Sequence, residues 1–227
     1  MSLPDTATTP ASPNSDSWEA AFLAFETPEQ ELRKFLARLR FLGAHTWPRE
    51  AKIVELFCGR GNGMVALEQL GFKNLEGVDL SARLAGEYRG HGKIHVGDCR
   101  ELPFEDSSRD IAIVQGGLHH LPKLPDDLDR ALGEVKRILR PGGRFVAVEP
   151  WLTPFLRGLH LLTTNKLARK LSTKLDAYQT LTDHEIVTFN AWLAARKEII
   201  GLLDKHFQRE HLSFAWGKIR FIGRVKT

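Results

Sequence analysis

The sequence predicts an α/β fold with a mainly parallel sheet, and three observations lead to that prediction. Between positions 51 and 150, short apolar runs typical of strands alternate with segments of helical periodicity. A glycine-rich turn joins the first of these runs directly to a helical segment. Two further strand-like runs, separated by a tight turn, follow near the end of the chain. We therefore expect a seven-stranded sheet with right-handed crossovers, helices on both faces and a C-terminal antiparallel hairpin.

Length and composition are those of one ordinary globular domain. The 227 residues are 42% hydrophobic and 26% charged, which suits a single well-buried core. No run of about 18 apolar residues is present, and the first residues lack the apolar core of a signal peptide, so we expect a cytoplasmic protein. Cys58 and Cys99 are too few for a disulfide framework or a four-thiolate zinc site, and we expect no bound metal.

The chain before position 51 is predicted to contain a tail and one helix. Residues 1–16 are rich in Pro, Ser and Thr and are expected to be disordered, which leaves residues 17–227 as a single domain. Thr27 and Gln30 form a capping box, with Pro28 at the first helical position. The apolar residues that then recur at helical spacing predict an amphipathic helix; they are Leu32, Phe35, Leu36, Leu39 and Leu42.

Five strands are predicted within the alternating region, and two follow it. The helix before the fifth strand is expected to end at the Pro-Gly-Gly segment 141–143, because proline cannot continue a helix. Residues 151–206 are predicted to be mostly helical, and residues 211–225 to form a hairpin with its turn at 216–218. The five earlier strands are expected at 51–57, 74–80, 93–98, 110–116 and 143–150.

The end of the first strand carries the strongest indication of ligand binding. Glu55 is followed by Gly59, Gly61 and Gly63, directly before a helix. Such a turn lets the backbone approach a ligand closely and directs free amide groups at it. A dinucleotide fingerprint would require glycine or alanine three positions after Gly61, where this chain has Met64. The carboxylate of Glu55 would also repel a pyrophosphate.

This segment resembles the first motif of the class I, Rossmann-like S-adenosylmethionine-dependent methyltransferases. Segment 77–81 resembles the end of the second strand of that family, and segment 97–104 resembles its third-strand motif. Segments 110–115 and 139–143 resemble the fourth strand and the turn before the fifth. The order and spacing of these motifs argue against a chance match. The resemblance covers about positions 51–150 and implies the Rossmann-like methyltransferase fold.

The resemblance implies that S-adenosylmethionine is the cofactor and that its binding residues lie at strand ends. The first motif would receive the methionine end, and Gln115 would lie near the sulfonium. Asp79 would bond both ribose hydroxyls, a contact for which a carboxylate is suited. Asp98 would accept a hydrogen bond from the adenine amino group, and the backbone amide of Cys99 would contact the ring. The implied cofactor residues are Glu55, Gly59, Gly61, Asp79, Leu80, Asp98, Cys99 and Gln115.

Methylation of nucleic-acid bases is not favoured by the sequence. Segment 56–59 resembles the enzymes that methylate carbon 5 of cytosine, but those need a Pro-Cys pair. Here Cys58 follows Phe57 and Cys99 follows Asp98. The Asn-Pro-Pro or Asp-Pro-Pro motif of the amino-directed enzymes is also absent after the fourth strand. Phe57 departs from the pattern of the family, because the family usually has glycine at this position.

Candidate residues for the acceptor side follow the fourth and fifth strands. His119 and His120 lie where acceptor and methyl group should meet, and the pKa of histidine suits a general base. The alternative is a loop histidine that bonds backbone, and at most one of the two is expected to be catalytic. Glu149 and Trp151 end the fifth strand. Glu149 would either orient an acceptor or cap the segment that follows.

Charge is distributed unevenly along the chain. Residues 1–150 carry a net charge of −3 and residues 151–227 a net charge of +7. We expect residues 151–206 to form a helical lid, because segments inserted after the fifth strand in this family commonly shape acceptor specificity. The alternatives are ordinary core contacts, attraction of an anionic substrate, and docking at a membrane surface. The basic residues concerned are Arg157, Lys166, Arg169, Lys170 and Lys174.

The predicted function is S-adenosylmethionine-dependent methyl transfer to a small-molecule acceptor, with oxygen as the first choice of acceptor atom and nitrogen or carbon open. The protein would align an acceptor lone pair with the methyl group and exclude water. A base is needed only if the nucleophile must lose a proton. The alternatives are a nicotinamide-dependent oxidoreductase and a cofactor-binding adaptor without catalysis. The acceptor is expected to be either anionic or presented by a membrane.

Overall fold

A computed structural model describes residues 26–163, 174, 177–179 and 186–226. Seven strands form one sheet, as the sequence predicts. The strands are β1 Ile53–Leu56, β2 Leu75–Asp79, β3 Lys93–Val96, β4 Arg109–Gln115, β5 Leu139–Pro150, β6 Gln208–Ala215 and β7 Lys218–Arg224.

Helices flank the sheet and precede it. Two short 3₁₀ turns, Ala44–Thr46 and Leu118–His120, lie in the connections. Within the described ranges, no helix is long and apolar enough to cross a membrane. The helices are α1 Pro28–Phe41, α2 Asn62–Gln69, α3 Ala82–Ala85, α4 Asp126–Ile138, α5 Pro154–Thr163, α6 Ile186–Ala194 and α7 Arg196–His206.

The strand order creates the crevice in which the candidate site lies. The order across the sheet is β3-β2-β1-β4-β5-β7-β6. Strands β1 to β5 pair in parallel, whereas β7 runs antiparallel to both β5 and β6. The direction of winding reverses between β1 and β4, so their following loops diverge. Ligands bind at such a switch point, outside the carboxyl ends of the strands.

Helix α1 begins as predicted and packs beside α2. The Thr27 hydroxyl accepts a hydrogen bond from the Gln30 amide at 3.3 Å, and the Gln30 side chain accepts one from the Thr27 amide at 3.2 Å. This reciprocal pair satisfies two amides that a helix start otherwise leaves without partners. Phe35 and Leu39 are buried and join the same apolar cluster as Met64 of α2. The capping box and the amphipathic face are both confirmed.

The predicted end of the helix before the fifth strand is wrong by a few residues. Helix α4 ends at Ile138, and β5 already begins at Leu139, so Pro141 lies within the strand. The register shifts there, because Leu139 faces Arg109 while Arg144 faces Ile111. Proline and glycine are tolerated near a strand start when the ladder is interrupted in this way. The Pro-Gly-Gly segment therefore produces an irregularity in the strand, whereas we expected it to end the helix.

The apolar core covers both faces of the sheet. On the face of α4 and α7, the rings of Phe145 and Phe207 stack with centroids 4.9 Å apart. Phe221 packs against both, at 6.2 Å and 6.4 Å. On the other face, Ile53 and Met64 are fully buried in a second cluster that includes side chains of α1. Burial on both faces explains why the central strands are continuously apolar.

The region after β5 is helical where the structure describes it, in α5, α6 and α7. The indole Nε1 of Trp192 donates a hydrogen bond to the carbonyl oxygen of Pro150 at 2.8 Å. This buried bond holds α6 against the carboxyl end of β5. The predicted tail 1–16 and the basic residues Lys166, Arg169 and Lys170 lie outside the described residues.

The aromatic cluster yields a stability prediction. Phe207→Ala should lower the free energy of unfolding by about 3–5 kcal/mol, because it opens a cavity between two packed rings. Val187→Ala serves as the control, since Val187 is 79% exposed and its loss should change stability by less than about 0.5 kcal/mol. Urea unfolding followed by circular dichroism gives both values. Similar effects of the two substitutions would contradict the assigned packing.

Candidate functional site

A cavity of about 780 Å³ opens at the carboxyl ends of the parallel strands. Three of the residues predicted from the sequence, Gly61, Glu149 and Trp151, are adjacent in the chain to the cavity wall but do not line it. The predicted residues that line the cavity are Glu55, Gly59, Asp79, Leu80, Asp98, Cys99, Gln115, His119 and His120.

The turn after β1 requires its glycines. Gly59 and Gly61 have φ angles of 53° and 80°, in the left-handed region that glycine adopts without steric cost. A side chain at Gly61 would also overlap the ring of Tyr88. Gly63 is needed for a different reason, because a Cβ atom there would occupy the space of the Glu55 carboxylate. The loop therefore wraps closely around that carboxylate.

Phe57, the departure from the usual glycine, also has a left-handed φ angle, of 55°. A residue with a side chain adopts this conformation at a cost of about 1–3 kcal/mol, and only when its surroundings enforce it. Here the ring packs so closely on Gly117 that a Cβ atom at position 117 would overlap it. Phe57 thus has a backbone conformation that glycine, the usual residue of the family, adopts without steric cost.

Glu55 is a buried carboxylate with an incomplete set of partners. Its Oε1 accepts a hydrogen bond from Nε2 of Gln115 at 2.9 Å. Its Oε2 is buried and has no hydrogen-bond partner within the described part of the chain. Burial raises the pKa of Glu55 to about 7, although Gln115 and the charge of Arg38 oppose that shift. A cation placed against Oε2 would complete the set of partners.

Arg38 is a site residue that the sequence reasoning missed. Its Nη1 donates a hydrogen bond to Oε1 of Gln115 at 3.3 Å, so α1 contacts the end of β4. Glu31, Lys34 and Arg38 all line the cavity from α1. Their spacing of three and four residues places them on one helical face beside the apolar stripe. That polar stripe was the signal available in the sequence.

Asp79 holds the glycine-rich turn. Its Oδ2 accepts a hydrogen bond from the Gly59 amide at 2.7 Å, and its Oδ1 accepts one from the Ser81 amide at 2.9 Å. Each carboxylate oxygen can accept a further bond. Leu80 beside it is 68% exposed at the cavity wall, as an apolar surface on which a ring can lie. Asp79 thus combines a structural role with free acceptor capacity that faces the cavity.

Asp98 is engaged by an arginine that the sequence reasoning did not single out. Nε and Nη2 of Arg100 donate to its two oxygens at 3.0 Å and 2.6 Å, and Nη1 donates to Asp127 at 2.9 Å. The Arg100 hydrogen bonds hold the pKa of Asp98 below its usual value. The thiol of Cys99 is buried, and burial raises its pKa to about 12. Cys99 is therefore a neutral side chain, and not a reactive thiolate.

His119 and Glu149 form a buried pair. Nδ1 of His119 lies 2.7 Å from Oε2 of Glu149, while Glu149 Oε1 accepts from the Gly117 and Leu118 amides at 2.8 Å and 2.9 Å. Burial alone would raise the pKa of Glu149, but these hydrogen bonds and the interaction with His119 hold it below the usual value. The His119 ring lines the cavity, so the pair lies at the cavity wall. Glu149 therefore holds His119 and the turn after β4, whereas its predicted roles were to orient an acceptor or to cap the segment that follows it.

His120 and Trp151 have different surroundings. The His120 ring centroid lies 4.1 Å from that of His119, and both rings line the cavity. Trp151 stacks on Phe214 with centroids 5.4 Å apart, and its backbone amide donates to the Gly217 carbonyl at 2.8 Å. Trp151 therefore holds the β6–β7 turn beside the cavity wall.

Lys218 is a further site residue that the sequence reasoning missed. It is the first residue of β7 and lies opposite Pro150 of β5, so its side chain reaches the cavity wall. Burial lowers the pKa of Lys218 to about 8, and the charge of Arg38 contributes. The tight turn predicted at 216–218 could have directed attention to this position, because that turn places its residues at the carboxyl end of β5.

Comparison with known proteins assigns the domain. Residues 54–147 match the family described as a methyltransferase domain. The ubiquinone/menaquinone biosynthesis C-methyltransferase of Rubrivivax gelatinosus is 31% identical over 140 residues, covering 58% of this chain and 54% of the relative. The sterol 4-C-methyltransferase of Caenorhabditis elegans is 30% identical over 139 residues, covering 55% of this chain and 40% of that protein. The chain spans about half the length of these curated relatives.

The fold is shared with solved structures as well. A protein of Pyrococcus horikoshii superposes with a TM-score of 0.67 at 20% identity, covering 92% of this chain and 99% of that one. The fold is thus the Rossmann-like methyltransferase fold predicted from the sequence. Together with the family match and the curated relatives, it supports a class I S-adenosylmethionine-dependent methyltransferase. Neither the nicotinamide-dependent oxidoreductase nor the non-catalytic adaptor is supported by these comparisons.

The buried carboxylate predicts a specific dependence of stability on pH. Because the folded protein raises the pKa of Glu55 from 4.5 to about 7, it binds more protons than the unfolded chain between these values, and stability falls as pH rises through them. At about 1.4 kcal/mol per pH unit, the loss is roughly 3 kcal/mol. Glu55→Gln should remove this loss, so the variant should become more stable than the wild type above about pH 7.

Urea unfolding at pH 5 and pH 8 measures this difference directly. Glu105→Gln is the matched control, because Glu105 is exposed and its substitution should leave the pH dependence unchanged. Equal pH dependence in wild type and Glu55→Gln would contradict the raised pKa.

Proposed function

We propose that this chain transfers a methyl group from S-adenosylmethionine to a small-molecule acceptor, and that His119 is the base for an acceptor that must lose a proton. The observation that carries the proposal is the buried pair of His119 and Glu149, which borders the cavity that also contains the carboxylates at the ends of β1, β2 and β3. A base and a set of cofactor-binding acids thus share one cavity at the switch point of the sheet.

The methionine end of the cofactor is assigned to Glu55 and the glycine-rich turn. The ammonium group of the cofactor supplies the cation that the buried Oε2 of Glu55 lacks. Gly59 and Gly61 give the turn the left-handed conformation that brings its backbone close to the ligand. Gln115, already bonded to Glu55, lies at the end of β4, next to the position assigned to the sulfonium.

The nucleoside is assigned to the ends of β2 and β3. Asp79 accepts the ribose hydroxyls with the capacity left by its two backbone bonds. Leu80 offers an apolar surface to the adenine ring. Asp98 and the amide of Cys99 bind the edge of the ring, and because Arg100 already pairs with Asp98, the adenine amino group shares that carboxylate.

Proton removal is assigned to His119. The His119 imidazole lines the cavity and is held in place by Glu149, so this ring is assigned the removal of the acceptor's proton. The sulfonium supplies an already activated methyl group, so the chain's own contribution is alignment, exclusion of water and proton removal. His120 stacks against His119 at the cavity wall and orients the acceptor.

The acceptor is proposed to be a small molecule with an apolar scaffold. Leu156 of α5 and Phe189 of α6 line the cavity, which supports a role of the helical region after β5 as a lid over the acceptor. The two curated relatives named above are C-methyltransferases. Their names favour carbon as the acceptor atom over the oxygen that the sequence alone favoured.

Cofactor binding is tested at Asp79. Asp79→Ala should raise the dissociation constant of S-adenosylhomocysteine at least about tenfold, because loss of a charge-assisted bond costs about 1.5–3 kcal/mol and about 1.4 kcal/mol corresponds to a factor of ten. Asp126→Ala, an exposed change of the same kind in α4, should leave affinity unchanged. Calorimetric titration of the folded proteins with S-adenosylhomocysteine measures these dissociation constants. Absence of binding by the wild type would refute the proposed function.

Proton removal is tested at His119. His119→Asn should reduce methyl transfer by roughly 10²- to 10⁴-fold, the usual contribution of a positioned base. Transfer of a labelled methyl group to a hydroquinone and to a sterol is measured, together with calorimetry of S-adenosylhomocysteine. Cofactor affinity should remain within about twofold of the wild type, and His120→Asn should have the smaller effect on rate. Undiminished transfer by His119→Asn would overturn the assigned role.

A further inference from the structure

Lys218 is a half-buried cation on the cavity wall to which the proposed chemistry assigns no role. Its backbone is fixed in the hairpin, opposite Pro150 on one side and Ala215 on the other. Among the described residues, no carboxylate lies within ion-pair distance of its ammonium group. A buried charge without a partner is costly. Lys218 therefore needs a counter-ion that the described residues do not supply.

Two basic and two acidic side chains lie close enough to Lys218 to act on its charge. Arg38 and Lys34 of α1 act on it as like charges, whereas Glu149 of β5 and Glu26 act as opposite charges. Glu149 is already engaged by His119, and Glu26 is paired with Lys34. Arg38 donates one hydrogen bond to Gln115, which is a neutral partner. Two cationic groups, Lys218 and Arg38, thus line the same cavity and act on each other as like charges.

The strand register places this cation next to the proposed base. Glu149, which binds His119, faces Ile219, and the next residue pair along the same two strands is Pro150 and Lys218. The carboxylates assigned to the cofactor lie instead at the ends of β1, β2 and β3, on the other half of the sheet. The cation therefore belongs to the acceptor side of the cavity.

We propose that Lys218, assisted by Arg38, binds an anionic oxygen of the acceptor, so that the acceptor reacts as a phenolate, enolate or carboxylate. This inference rests on the proposed function and names the chemistry of its acceptor. Opposite charge within hydrogen-bond distance favours the ionised form of an acid, which makes the oxygen or the carbon conjugated to it a better nucleophile.

The proposed step balances for a phenol or an enol. The O–H proton passes to the imidazole of His119, and the ammonium of Lys218 stabilises the oxygen that keeps the electron pair. That pair, on the oxygen or on the conjugated carbon, forms the bond to the methyl group as the methyl–sulfur bond breaks. A carbon acceptor afterwards loses its C–H proton and regains one on oxygen, so one proton is released in both cases. A carboxylate acceptor is already ionised and releases none.

The experiment uses 4-nitrophenol, whose absorbance reports its ionisation, with the full chain saturated with S-adenosylhomocysteine. Bound 4-nitrophenol should ionise at a pH lower by about one unit than in buffer, because Lys218 stabilises its anion. Lys218→Met should abolish the shift, and Lys218→Arg should retain it. Lys136→Met, an exposed loss of the same charge in α4, is the matched control and should behave as wild type.

A second arm distinguishes the sources of the anionic oxygen. Benzoate that binds wild type at least about tenfold more tightly than Lys218→Met would identify a carboxylate site. Binding of 4-nitrophenol no tighter than that of 4-nitroanisole, combined with no effect of Lys218→Met on benzoate, would overturn the inference. A shift that persists in Lys218→Met would overturn it as well. Calorimetry of S-adenosylhomocysteine on the same samples separates this failure from failure of the proposed function, which would remove cofactor binding instead.

Discussion

The buried carboxylate of Glu55 is the constraint on which the arrangement of the cavity depends. An ionised group without partners in the interior is costly, so several separate elements must be in place around it. The start of α2 leaves space at Gly63, the end of β4 supplies the Gln115 amide, and α1 brings Arg38 to the outer side of that amide. A helix that precedes the sheet is thereby joined to the switch point by a chain of polar contacts.

The strand order also sorts charge across the cavity. Acids lie at the ends of β1, β2 and β3, on one half of the sheet, whereas the histidine pair follows β4 and the half-buried Lys218 begins β7 beside β5. Such separation gives the cavity an electrostatic polarity. A cationic cofactor and an anionic acceptor would be drawn to opposite halves, with the reacting atoms between them. The topology therefore supports both the assigned binding sites and their order.

Local chemistry determined what the sequence could predict. The capping box at Thr27, the acids at strand ends and the hairpin turn at Gly217 each depend on residues close together in the chain, and each lies where we expected. Arg38 and Lys218 were not singled out, because the polar face of α1 and the turn at 216–218 mark positions whose roles only contacts with distant strands define. The predicted boundary between helix and strand near Pro141 was wrong for a related reason. Pairing with β4 and β7 extends β5 beyond the local preference of its residues.

Phe57 has a consequence for how this site can vary between related proteins. Its ring occupies the space in which any side chain at Gly117 would lie, although the two positions are in loops after different strands. Glycine at position 57 would relieve a strained backbone and leave a void against Gly117. A larger residue at 117 is tolerated only after that void exists. Substitution at these two positions is therefore expected to be ordered, with position 57 changing before position 117, and intermediates of the reverse order should be lost from any lineage.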